Sequence, residues 1–218
     1  MRKYLYLAAS VAASAAVVAL PATSAFAAGH VLTIKKTGGT AVKKGDVLKA
    51  SLVKGTSAVF SLGTQKLTCK AASFSATVKT NPVKPGKATE SLTAQSFSKC
   101  TTNVQGITVK GIKVKNLPFN ASVSDGKGLP VKVAGQSKTK PILVTVKAAA
   151  GTTTVTCTYK SAGLNGAASN TGNKISFSKQ KFTRSAGGAL CPPSANFTGA
   201  FGPVVDSSVT GSPKVFVN

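Results

Sequence analysis

The chain has 218 residues, with 28 basic and only four acidic side chains and a formal net charge of +24. One histidine and four carboxylates leave little for proton transfer or metal ligation, so catalysis, a cofactor and a metal site are not expected. Basic residues that are nearly all lysine lack the arginine forks of bidentate recognition, which argues against a sequence-specific reader of nucleic acid.

Residues 1–27 read as a secretory signal. Arg2 and Lys3 precede an Ala/Val/Leu run that Pro21 ends, and Ala25-Phe26-Ala27 fits a small-residue cleavage site. Cleavage after Ala27 leaves residues 28–218 as an extracellular domain without a transmembrane segment, free or retained at the cell wall. Loss of Arg2 and Lys3 takes the 28 basic residues to 26, against Asp46, Glu90, Asp125 and Asp206, for a net charge of +22. Arg184 is the one arginine left. The acids stand apart along the chain, mostly beside Gly or Ser, and read as turn and surface residues. His30 reads as part of a fraying terminus.

From there the chain reads as short alternating strands between turn residues, with no credible helix. "HVLTIKK", "VLKASLV" and "AVFSLG" come first. In "KLTCKAASFSATVK" the apolar residues move from odd positions (Leu67, Cys69, Ala71) to even ones (Ala72, Phe74, Ala76, Val78), which predicts a bend near Ala71-Ala72. "NPVKPGK" is a loop, and "SLTAQSFSKC" leads to Cys100. "ITVKGIKVK" makes the same change of face at Lys110-Gly111, which predicts a bulge there and separates its lysines onto different faces. "NLPF" ends that run. "LPVKVAG", "PILVTVKA", "TTTVTCTYK", "NKISFSKQKF", "ANFTGAF" and "KVFVN" complete the set, while "SAGLNGAASNTG" reads as turns. The pattern predicts an all-β fold, an antiparallel β-sandwich of immunoglobulin-like or related type with about 10–12 short strands, as one sandwich or two joined β parts. Phe60, Phe74, Phe97, Phe177 and Phe197 read as core.

Four cysteines in a secreted chain predict two disulfides. Three pairings are open. Sequential pairing, Cys69–Cys100 and Cys157–Cys191, is favoured because consecutive elements usually lie side by side. The order of "LTCKAASFSATV", "SLTAQSFSKC", "NLPF", "VTCTYKSAGLNG", "KISFSKQKF" and "CPPSANFTGAF" resembles a group of secreted β-sandwich proteins of actinobacteria (Streptomyces type). Its members share an F-x-x-C strand end, an LPW- or LPF-like turn and a late C…A-x-F-x-G strand. The resemblance implies fold and compartment, and no activity.

The candidate binding residues are lysines: Lys110, Lys113 and Lys115, then Lys138 and Lys140 in "GQSKTK", and Lys179 and Lys181 beside "ISFS". A charge of this size costs self-repulsion and attracts polyanions. The expected function is non-catalytic association with anionic cell-wall or extracellular polymers. Two alternatives are a carrier of a small apolar or acidic metabolite, and an antagonistic or antimicrobial secreted protein.

Overall fold

The computed structural model describes residues 29–218; the expected signal segment lies outside them. The described residues form fifteen strands and no helix. They are β1 (Leu32–Ile34), β2 (Val47–Ser51), β3 (Ala58–Leu62), β4 (Gln65–Thr80), β5 (Lys87–Thr102), β6 (Ile107–Lys115), β7 (Phe119–Ser124) and β8 (Pro130–Ala134). They continue with β9 (Ile142–Ala150), β10 (Thr153–Ser161), β11 (Gly163–Ser169), β12 (Lys174–Ala186), β13 (Ser194–Phe201), β14 (Val205–Asp206) and β15 (Val215–Val217).

The ladder runs β11–β8–β7–β5–β4–β3–β13–β12, and β12 also pairs with β11. Eight strands therefore close into an antiparallel barrel. From β12 the ladder continues through β10 and β9 to β6. This corrects the expected sandwich, in which two sheets face each other without a ladder between them. The cause lies in strand length: β4 and β5 have 16 residues each and β12 has 13. Such strands are long enough to hydrogen-bond to one set of neighbours and then to another.

That change of partner divides the molecule into two levels. β4 pairs with β3 over its first residues and with β2 over Ser73–Thr77. β5 pairs with β7 over Lys87–Leu92, and its other half lies beside β6 with no ladder between them. β12 pairs with β11 over Lys174–Phe177 and with β10 from Thr183 onward. The lower level is built on β2, β7, β8 and β11, the upper on β3, β6, β9 and β10.

Bulges mark the waist between the levels. The β4–β5 register shifts at Ser75/Ala76, and the β12–β13 register shifts between Phe177 and Gln180, where Lys179 has φ 49°. The ladder also skips Lys70 and Lys99, the latter with φ 52°. The buried positions of β4 then pass from Leu67 and Cys69 to Ala72, Ala76 and Val78. The bend expected near Ala71-Ala72 thus falls one residue earlier, in a strand that stays continuous. Aromatic rings fill the waist: Phe60 lies 5.0 Å from Phe197 and 5.4 Å from Phe97, centroid to centroid, and Phe182 and Phe177 adjoin them. Edge-to-face pairs of this kind add about 0.5–1.5 kcal/mol beyond burial.

Two strands occur where the sequence pattern predicts none. β7 begins at Phe119, directly after Pro118, with Phe119 and Val123 buried. β11 lies in the glycine-rich "SAGLNGAASNTG". Gly166 stands opposite Phe177, and a Cβ there would come within 2.7 Å of the Phe177 ring. The glycine makes room for a core aromatic in a strand rather than turning the chain.

The disulfides are Cys69–Cys100, across directly opposed residues of β4 and β5, and Cys157–Cys191, from β10 to the loop before β13. β1 and β15 form a separate two-stranded flap that covers the lower end of the barrel. The flap corrects the reading of His30 as frayed: it bridges Val83, its Nδ1 lies 2.7 Å from the Asn81 carbonyl, and the Asn218 side chain donates to its carbonyl. Among the described residues no helix is long and apolar enough to cross a membrane.

Candidate functional site

The lysines of β6 come first. Val109 and Ile112 both pack toward the core, with Lys110 and Gly111 between them at a register shift against β9. The expected bulge is present, but its effect on the lysines is the reverse of that expected. The extra residue restores the alternation, so Lys110, Lys113 and Lys115 all remain exposed on the outer side.

The neighbouring strands extend this surface. Lys115 pairs with Leu143 of β9, which pairs with Lys160 of β10, which pairs with Thr183 of β12. The next row is Lys113, Thr145 and Thr158, whose two threonine hydroxyls are 3.2 Å apart. The third is Gly111, Lys147 and Thr156. Strands about 4.8 Å apart place Lys115 and Lys160 roughly 10 Å from each other. Lys181, two residues before Thr183 on β12, is exposed beside the inward Phe182 and joins the same face. Lys179 sits at the β12 bulge, its amide bonded to the Thr198 hydroxyl. Lys138 and Lys140 lie in the exposed loop before β9. Sequence reasoning missed Lys147 and Lys160, because only the register aligns them with Lys115.

No acid occurs in β6, β9, β10 or β12. All four carboxyls lie in the lower level, and two overturn their reading as surface residues. Glu90 is 8 % exposed and Asp206 is wholly buried. Asp46 and Asp206, 160 positions apart, meet side chain to side chain. Neither carboxylate can donate, so the contact is a bond only when the two share a proton. Burial, opposed by the Ser208 amide and reinforced by Asp46, raises the Asp206 carboxyl above the usual range. Asp125 accepts from the Gly86 amide in a turn.

Each level holds a cavity, the upper one walled in large part by β6, β9 and β10. The upper one, about 260 Å³, is lined by residues such as Leu62, Ile107, Val146 and Val155, with the half-buried Pro192 and the exposed Leu190 at its edge. The buried Tyr159 hydroxyl on its wall has no hydrogen-bond partner among the described residues; burial raises its phenol, and Arg184 partly opposes this. The lower cavity, about 140 Å³, is lined by Leu92, Phe119, Val131 and Phe177, by Leu32 and Val217 of the flap, and by Glu90 and Asn173. Phe60 and Phe182 touch both cavities. Among the described residues no three of His, Cys, Asp and Glu converge to hold a metal ion. No family model, curated protein or solved structure matches this chain.

Proposed function

We propose that the protein is a secreted, non-catalytic binder of anionic cell-wall or extracellular polymers, and that the outer face of β6, β9 and β10 makes the contact. One observation carries this reading: lysines of these three strands, with Lys181 of β12 beside them, share a face on which no carboxylate offsets them. The exposed Thr156 hydroxyl beside Lys147 supplies a further donor to phosphate or sulfate oxygens. Ammonium groups act here as hydrated point charges, so affinity comes from many similar contacts and from counterion release. The two disulfides accord with an oxidising extracellular compartment.

Salt titration tests it. Binding of the mature protein to teichoic acid and to DNA is expected to fall steeply with salt. Changing Lys110, Lys113 and Lys115 to Gln is expected to lower the logarithmic salt slope on DNA by up to about 3, near 0.9 for each phosphate no longer neutralised. Binding that ignores salt, or survives the triple change unaltered, removes the reading. A second reading, a carrier of a small apolar molecule, is favoured by the two interior cavities.

A further inference from the structure

An isolated carboxyl is expensive to bury, and proteins ordinarily give it a cation or several donors. Glu90 has neither. Its strand neighbours Ala88 and Leu92 are buried, and it pairs across β5 with Val78 of β4 and Ala121 of β7, so apolar residues surround it. Oε1 has no hydrogen-bond partner among the described residues. Lys174 is the only other ionisable residue on the cavity lining, and it is exposed. Burial alone displaces the Glu90 carboxyl, which is pushed up to about 7, with no opposing effect from any lysine.

A second orphan lines the same cavity. Asn173 is 5 % exposed, and its amide nitrogen donates to the Val215 carbonyl of the flap. Its Oδ1 accepts from nothing among the described residues. An amide oxygen can only accept, and a carboxyl oxygen accepts in either protonation state. The cavity is thus an apolar space whose unmet polar groups lack donors. Its volume, about 140 Å³, is close to that of dry cavities that admit benzene.

We propose that the lower lumen binds a small, uncharged, mainly apolar molecule, of single-ring size, that brings an O–H or N–H donor to Glu90. The proposal rests on the carrier reading and adds to it the ligand's chemistry. It also gives Glu90 a role that packing does not, since a leucine there would fill the wall without the desolvation cost.

The probes are phenol and benzene, which differ by one hydroxyl. Calorimetric titration at pH 6 uses the mature protein, Glu90→Leu and Glu90→Gln. Phenol is expected to bind wild type about five- to tenfold tighter than benzene, the increment of one net hydrogen bond. E90L is expected to erase that preference while still binding benzene, and E90Q, which keeps an acceptor, to retain it. Equal binding of the two probes by wild type, or a preference that survives in E90L, overturns the proposal and leaves the carrier reading standing. If neither probe binds wild type, both fail. Because wild type and E90Q suffice for the first comparison, poor folding of E90L would not remove the test.

Discussion

The two levels share the long strands β4, β5 and β12 yet treat charge in opposite ways. The upper level keeps every lysine of β6, β9 and β10 outside and carries no acid on those strands. The lower level takes two carboxyls inside, Glu90 facing an apolar lumen and Asp206 against Asp46. Lysines spread over an exposed face are solvated and cost little individually. A carboxyl in the lumen keeps its proton well above the usual carboxylate range, and ionising it there costs stability. The contrast separates a surface suited to long-range attraction from an interior suited to a neutral guest.

The largest effect should come from the waist that joins the levels. Phe197→Ala removes a ring that contacts Phe60, Phe97 and Phe177, and should destabilise the fold by about 3–5 kcal/mol. Because the long strands run through both levels, chemical denaturation should still show one transition; two separate transitions would mean that the levels fold independently. Replacing Cys157 and Cys191 together with Ser opens a closure of 34 residues on the upper level and should cost about 3–4 kcal/mol on the chain-entropy account.

Next is the lower level's response to pH. Glu90 binds its proton more tightly in the folded state, about 7 against 4.5. Its favourable contribution is therefore complete below about pH 4.5 and is lost as pH rises through about 7. Wild type should lose roughly 3 kcal/mol across that window relative to Glu90→Gln, the equivalent of that shift. Parallel stability curves for the two proteins would show that Glu90 is solvated. On the upper level, the triple Lys→Gln change should leave stability within about 0.5 kcal/mol while it weakens polyanion binding. The bulge gives another small effect: Gly111 has open space where a Cβ would lie and does not use a left-handed φ. Gly111→Ala should thus be neutral or stabilising by up to about 1 kcal/mol, measured by thermal melting.

Local pattern made much of the fold legible. The alternation of "ITVKGIKVK" contained both the strand and its bulge, and the cysteines join in the order that sequential pairing favours. The missed strands share a physical cause. β7 presents Asn120, Ser122 and Ser124 on its outer side, and β11 uses Gly166 to admit Phe177, so both carry turn residues for reasons of packing. Closure of the barrel could not be read, because it depends on β12 pairing on one side with both β10 and β11. The site was hidden in the same way. Lys147 and Lys160 join Lys115 only through register, and Glu90 looks like any strand carboxylate until its neighbours are known.

The flap has a mechanical consequence. β1 and β15 are antiparallel, with Leu32 opposite Val217 and Ile34 opposite Val215, so the two ends of the described chain leave the ribbon on the same side. Tension applied between those ends would peel the ribbon one bond at a time rather than shear all its bonds together. A molecule held at one end and pulled at the other would yield at this point first. Leu32 and Val217 would leave the wall of the lower lumen, and the Asn173 bond to Val215 would break. Applied force would then unseal the compartment that holds Glu90 while the barrel beneath remained intact.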